Sequence, residues 1–178
     1  MPVTPLHYPI AYFIYKLNKR LSLHGLIVGC MFPDIEIPFM VLLFGTQVPT
    51  HMVLHSLLGS ATIGTVLAVI VTVHLYPPLV SRLFHVDKKR VESKCRFSFV
   101  VVFSVFVGIL SHVLLDVTNH PYNPLLWPFL PATATPSLIY FALGNPLGSL
   151  WMQIIMAVLL AALIVAKRKN LFEELLVG

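Results

Sequence analysis

His112 and Asp116 are the two residues whose types and spacing most suggest chemistry. They stand four apart near the end of a long apolar run, so on a helix both side chains leave the same face, one turn apart. Ionisable groups inside a membrane-spanning segment cost free energy and are candidates for a functional site. A second pair with the same spacing, His51 and His55, opens another apolar run. Two such pairs predict a metal-binding site.

Two carboxylates interrupt an earlier apolar run, because Asp34 and Glu36 lie between Pro33 and Pro38. Prolines break a helix, and irregular backbone survives at membrane depth only where it lines protein or water. We therefore expect this segment to depart from regular helix and to turn Asp34 toward the interior as a metal ligand. Glu36 is predicted to act as a general base or further ligand, and His7 as a ligand brought in by the first apolar segment.

Imidazole nitrogen and carboxylate oxygen are typical ligands of zinc and similar divalent metals. The predicted ligands are His7, Asp34, His51, His55, His112 and Asp116. This set exceeds what one tetrahedral ion needs, so we expect one or two ions, about 4 Å apart if there are two. A bound ion would lower the pKa of its water toward about 7 and supply hydroxide for hydrolysis, with Glu36 as the catalytic residue.

The composition predicts an integral membrane protein. Of the 178 residues, 57% are hydrophobic and only 11% are charged, whereas a soluble domain has about 25% charged residues. Mean hydropathy is +0.87. The excess of 12 Lys and Arg over 7 Asp and Glu would suggest nucleic acid as the partner of a soluble protein. In a membrane protein the tendency of basic residues to stay on the cytoplasmic side explains it better, so no nucleic acid is expected.

Five apolar segments must position the candidate ligands. They run from about 5 to 15, 21 to 44, 51 to 76, 97 to 117 and 147 to 166. The first is short, since a full span needs about 20 residues. Residues 118–146 contain six prolines and no Asp, Glu, Lys or Arg, which predicts a semi-inserted loop or lid. The expected fold is therefore an all-α polytopic membrane helix bundle with a proline-broken second helix, in a single domain over 1–178.

The basic residues predict the orientation. All 12 Lys and Arg fall between the segments or after the last one, in groups of 3, 6 and 3. If the spans alternate, all three groups lie on one side, which is the cytoplasmic side. The N-terminus is then outside, the C-terminus is cytoplasmic, and the predicted ligands collect in the outer half of the membrane.

Several motifs, taken in order, carry a resemblance to a known family. They are Met-Pro-Val-Thr-Pro-Leu-His7, Pro33-Asp34-Ile-Glu36, His51-x-x-x-His55-Ser56, Ser111-His112-x-x-x-Asp116 and Leu126-Trp-Pro128. Over about residues 1–130 the chain resembles small integral-membrane proteins described as membrane-bound metal-dependent hydrolases. These include a bacterial inner-membrane, LexA-regulated group and a prokaryotic group that starts with Pro-x-Thr-x-x-His.

The resemblance implies metal-dependent hydrolysis in a prokaryotic cell membrane. Two positions depart from the bacterial group, which has Thr-His-Ser where this chain has Leu54-His55-Ser56, and often Asp-x-Asp where it has Asp34-Ile-Glu36. The order of the ligands is also similar in kind to zinc-dependent phospholipase C and P1-type nucleases. With the depth of the site and the uncharged loop, this likeness suggests a lipid or lipid-linked phosphoester as substrate.

Two other functions use the same residues. A transporter or channel could pass a metal ion or protons along the His and carboxylate cluster, although a conduit also needs polar groups toward the cytoplasmic side. A non-catalytic scaffold could use a metal only to staple its helices, and a closed four-ligand site would favour it. His112 with Asp116 could also be a hydrogen-bonded pair between spans, and His51, His55 and His7 could be interfacial residues. The sequence leaves the oligomeric state open.

Overall fold

The computed structural model of the chain describes residues 4–45, 49–144 and 147–178, and this part contains helices and no β-strand. The α-helices are α1 (Tyr8–Leu17), α2 (Leu23–Met31), α3 (Glu36–Phe44), α4 (Leu57–Phe84), α5 (Lys88–Lys94), α6 (Phe99–Asp116), α7 (Leu138–Ala142) and α8 (Leu147–Ala166). A 3₁₀ turn, Thr4–His7, precedes α1, and two π turns, Ser60–Gly64 and Val71–Leu75, interrupt α4. The all-α fold is confirmed.

Four helical stretches are long and apolar enough to cross a membrane: Leu23–Phe44, Leu57–Phe84, Phe99–Asp116 and Leu147–Ala166. They match the second to fifth predicted segments. The first predicted segment forms the short 3₁₀ turn and α1, of 4 and 10 residues. Both boundaries of the third segment differ from the prediction, and at its end α4 continues past Tyr76 to Phe84. The π turn at Val71–Leu75 ends two residues before Pro77, and such irregular turns accommodate the hydrogen bonds that prolines cannot make.

The predicted proline break is present but narrower than expected. Pro33–Ile35 form a 3₁₀ turn between α2 and α3, and Asp34 on this turn is buried. Pro38, in contrast, lies within regular helix α3. It occupies the first turn, where backbone N–H groups have no helical partner and proline is tolerated. The break therefore changes the direction of the carboxylate at Asp34 without ending the span.

His51 and His55 do not lie on a helix, which corrects the prediction that the third span begins near His51. Residues 49–56 are irregular and α4 starts at Leu57. The Ser56 hydroxyl caps α4 by accepting a hydrogen bond from the N–H of Gly59, 3.0 Å away. Serine is a preferred residue at this position because it satisfies an otherwise unpaired N–H group. The two histidines are thus positioned by a loop rather than by helical periodicity.

The close packing of α2 against α6 brings two parts of the site together. A Cβ atom at Gly108 would lie 2.6 Å from the carbonyl oxygen of Leu26, and one at Gly29 would lie 2.2 Å from that of Val105. Only glycine permits such an approach, and small residues are used in this way between membrane helices. As a result, Asp34, which follows α2, and His112, which follows Gly108 on α6, lie at the same level of the bundle.

The three groups of basic residues lie at one end of the bundle. Lys94 donates hydrogen bonds to the carbonyl oxygens of Val177 and Gly178. Lys19 of the first group and Lys94 of the second line one cavity. In the third group, Lys167 lies 2.5 Å from Glu174. The end segment of the described chain therefore joins all three groups.

The uncharged segment after α6 packs across the other end. Its backbone meets α4 where the N–H of Leu57 donates to the carbonyl of Leu125, 3.0 Å away. The hydroxyl of Ser137 donates to the carbonyl of Val117, and Ser149 on α8 donates to Asn119 at 3.3 Å. These bonds fix the described part of this segment against three helices, over the site described next.

Candidate metal centre

Four of the predicted ligands converge at one point. Asp34 comes from the 3₁₀ turn, His55 from the loop before α4, and His112 and Asp116 from α6. Each of these residues offers one ligand atom, and the four atoms lie within 4.8 Å of one another. No more than 6% of any of the four residues is exposed. We call this set the four-residue centre.

The distances within the four-residue centre match those of a tetrahedral ion. The Nε2 atom of His112 lies 3.3 Å from Nε2 of His55, 3.4 Å from Oδ1 of Asp34 and 3.2 Å from Oδ2 of Asp116. The Nε2 atom of His55 lies 3.8 Å from Oδ1 of Asp34 and 3.5 Å from Oδ2 of Asp116. Zinc bonds of about 2.0–2.1 Å at tetrahedral angles place neighbouring ligand atoms about 3.3 Å apart. One ion therefore fits between the four atoms.

The backbone of α2 orients His112. Nδ1 of the ring lies 2.7 Å from the carbonyl oxygen of Cys30, and a carbonyl can only accept. Nδ1 therefore carries a proton, and in the neutral form of the ring the lone pair of Nε2 faces the centre. Such hydrogen bonds to a carbonyl or carboxylate fix the tautomer and direction of most metal-binding histidines.

Glu36 orients His55 in the same way. Its Oε2 atom lies 3.1 Å from Nδ1 of His55, so the Nε2 atom of this ring also turns to the centre. The carboxylate accepts three backbone N–H groups of the loop as well, from Met52 at 3.2 Å, Val53 at 2.6 Å and Leu54 at 3.0 Å. These bonds hold the irregular loop against the start of α3.

This placement does not suit the predicted role of Glu36 as a general base. A base must reach the proton it removes, but both oxygens of Glu36 already accept hydrogen bonds from the loop and from His55. The hydrogen bonds of Glu36 instead favour a positioning residue that acts through His55.

The two carboxylates of the centre have fewer hydrogen-bond partners than their oxygens could accept. Asp34 accepts one hydrogen bond, at 2.6 Å from the hydroxyl of Thr4 to Oδ2, whereas its Oδ1 atom is buried without a partner among the described residues. Both oxygens of Asp116 are buried without a hydrogen-bond partner there. Buried carboxylates without partners are costly, and a cation between them offsets that cost. Sequence reasoning missed Thr4, although it is the Thr of the Pro-x-Thr-x-x-His pattern.

His7 lies against the four-residue centre rather than within it. Its ring stacks on that of His112, with centroids 3.9 Å apart, and its Nε2 atom lies 3.5 Å from Oδ1 of Asp116. Both ring nitrogens are buried without a hydrogen-bond partner among the described residues. The 3₁₀ turn before α1 brings His7 to this position, as the sequence predicted, but the tetrahedron is complete without it.

A second group of possible ligands shares Asp116. One ligand atom each from His51, Asp116 and His120 lie within 4.8 Å of one another. The rings of His51 and His120 have centroids 4.8 Å apart, and a cavity of about 10 Å³ lies between these residues and His55. Burial, followed by the charges of His55 and His120, lowers the pKa of His51 to about 4, and burial also lowers the pKa of His120. Both rings are therefore neutral near pH 7, as ligands must be.

These features define an all-α protein with four helical stretches that could span a membrane and a buried His and Asp cluster that could hold a metal ion. Residues 1–174 match the model of a family described as a domain of unknown function (DUF4184), and the chain belongs to that family. No curated protein and no solved structure matches the chain.

Proposed function

We propose that this protein is a membrane-embedded metal-dependent hydrolase whose resident ion is zinc. The observation that carries the proposal is the convergence of two histidine nitrogens and two carboxylate oxygens, all buried, at the distances of a tetrahedral site. Zinc takes nitrogen and oxygen ligands in this geometry. The two negative charges of Asp34 and Asp116 balance a divalent cation in an apolar surrounding.

The role of the metal would be to lower the pKa of a water molecule toward about 7, so that it can attack an ester at neutral pH. Other residues of the chain would orient the ligands and keep the site dry. Cys30 and Glu36 fix the directions of His112 and His55, Thr4 holds Asp34, and burial excludes bulk water.

The four-residue centre alone would also suit a scaffold, because four protein ligands are typical of structural zinc sites. The hydrolase proposal is favoured by the opening beside the centre. The cavity of about 10 Å³ adjoins His55 and Asp116, and it has the size of about one water molecule. A purely structural site has no need of such an opening.

An apolar groove supports a lipid or lipid-linked phosphoester as the substrate. Thr4 and Asp34 lie at one part of it, and its walls continue along α2 and the second half of α4 as far as Phe84. Its volume is about 570 Å³, within the range of about 300–1,000 Å³ for ligand pockets. A hydrocarbon chain in this groove would bring its polar end to the carboxylate of Asp34.

The depth of the centre supports hydrolysis in the outer half of a prokaryotic membrane. At about 1.5 Å per residue, Asp34 lies about 16 Å along the chain from Leu23, and His112 about 20 Å from Phe99. Both helices start at the end of the bundle that carries the basic residues. If that end is cytoplasmic, the centre lies beyond the middle of a hydrocarbon core of about 30 Å, with the N-terminus outside.

The proposal is tested with purified protein in detergent, by elemental analysis for metal and by assay against phospholipids and lipid-linked phosphoesters. We expect bound zinc and phosphoester hydrolysis in the unaltered protein. The double variant His112→Ala, Asp116→Ala should lose both, whereas His85→Ala, at an exposed site far from the ligands, should keep both. Stoichiometric metal in the folded double variant would refute the site. Metal binding with no hydrolysis of any phosphoester would leave a scaffold, and zinc flux in proteoliposomes would indicate a transporter.

A further inference from the structure

The second group of possible ligands needs an explanation beyond the four-residue centre. His51 and His120 contribute nothing to that tetrahedron, yet both turn toward Asp116, which belongs to it. His51 is 8% exposed, and the Nε2 atom of His120 is buried without a hydrogen-bond partner among the described residues. A merely structural cluster would satisfy such an atom with a donor or acceptor.

We propose that a second divalent cation binds between His51, Asp116 and His120, so that Asp116 bridges two ions. This inference rests on the metal centre proposed above and deepens it. Asp116 is the only residue common to both groups, and neither of its oxygens has a hydrogen-bond partner among the described residues. A carboxylate has two oxygens, each with lone pairs to spare, and can therefore bind an ion on either side. Ions in two-metal hydrolases lie about 3.5–4 Å apart, and shared ligands keep them at that distance.

The cavity supplies the space for this ion. Its walls include all three proposed ligands and His55 of the four-residue centre, so that it lies against the first site. The rings of His51 and His55 are in contact, with centroids 4.4 Å apart, so a ligand of the second site directly adjoins a ligand of the first. The position of the second ion is therefore both lined by ligands and adjacent to the first ion.

The two sites differ in the number of ligands that the chain supplies. The first ion has four protein ligands, which complete a tetrahedron. The second has three, and three protein ligands with one open position are typical of a catalytic site. The second ion would therefore hold the water molecule, while the first fixes the bridging carboxylate. The proposed division explains why a closed four-ligand site occurs beside an opening.

The inference is tested by metal stoichiometry, which needs no knowledge of the substrate. Protein stripped of metal and kept in detergent is titrated with Zn²⁺, and bound metal is measured by elemental analysis after removal of the excess. We expect two ions per chain in the unaltered protein and one in His120→Ala. The variant His120→Asn, which keeps a polar side chain, controls for folding and should also bind one. His85→Ala should keep two.

A second readout tests the adjacency of the sites. Mn²⁺ in the unaltered protein should give an electron paramagnetic resonance spectrum of two interacting ions, and His120→Asn should give that of an isolated ion. Saturation of the unaltered protein at one ion, or two ions still bound by both His120 variants, would overturn the inference. Hydrolysis that needs only one bound ion would overturn it and leave the proposed function intact. Two ions that fall to one in the variants, without hydrolysis, would support the second site and refute the proposed function.

Discussion

Replacing Glu36 by Gln separates a general base from a positioning residue. The change removes one charge and replaces one oxygen by an NH₂ group, with little change in size. The remaining oxygen can keep the three donors that now meet Oε2, from Met52, Leu54 and His55. The NH₂ group must then face the N–H of Val53, which lies 2.6 Å from Oε1, and two donors cannot bond to each other.

The expected magnitude follows from these four hydrogen bonds. A buried N–H group left without an acceptor costs about 1–3 kcal/mol. The three remaining bonds lose the charge of their acceptor, and charge-assisted bonds are about twice as strong as neutral ones. Together these effects should lower the free energy of unfolding by about 3–5 kcal/mol. Because the hydrogen bond that orients His55 loses the charge of its acceptor, zinc affinity should fall by about 10- to 100-fold.

The assay is zinc competition against a chelator of known affinity, together with thermal unfolding of metal-free protein in detergent. Glu92→Gln is the matched control and should change neither property. Glu92 is exposed on the surface of α5, and among the described residues its one ion pair is with Lys88, at 3.4 Å. If Glu36 is the general base, Glu36→Gln will bind zinc with unaltered affinity and lose only hydrolysis. That result would refute the positioning role.

Further predictions concern the packing, the support of Asp34 and the topology. Gly108→Ala should lower both the melting temperature and zinc affinity, because the added methyl group separates α6 from α2; unaltered zinc affinity would contradict the role of this contact. Thr4→Val should weaken zinc binding by about tenfold or more, because it removes the hydrogen bond to Asp34. Thr4→Ser keeps the hydroxyl and should not weaken it; equal zinc affinities of the two variants would show that the bond is irrelevant. In a protein without its native cysteines, a thiol-specific reagent that cannot cross membranes should label Thr133→Cys from outside and Arg90→Cys only from the cytoplasm; the reverse pattern would invert the topology.

The sequence could predict the parts of the site that depend on local periodicity. His112 and Asp116 stand on regular helix α6, so their spacing of four was enough to place them on one face. The proline pair likewise located the break that turns Asp34 inward. Long apolar runs gave the spans, and the last predicted span, 147–166, coincides with α8.

Contacts between distant parts of the chain explain what sequence reasoning missed. His51 and His55 have helical spacing, but Glu36 binds the N–H groups between them and holds a loop instead. The same contact occupies the carboxylate that was expected to be the base. His120 is not among the predicted ligands because it follows the helix next to Pro121, and only the fold shows that it approaches Asp116. Such long-range pairing has no periodic signal in the sequence.

The separation of Asp34 and Asp116 on different spans has a consequence for biogenesis. Asp34 enters the bilayer on a stretch that also carries Glu36, and Asp116 enters on another stretch; each acidic residue costs only about 2.5–3.5 kcal/mol on insertion scales. The mean hydropathies of these stretches, 1.9 and 2.3, are high enough to overcome that cost without help from a partner. Insertion of the nascent chain therefore does not depend on metal. Only when α2 docks against α6 do the two carboxylates meet, so a metal ion held between them would act on the assembly of already inserted helices.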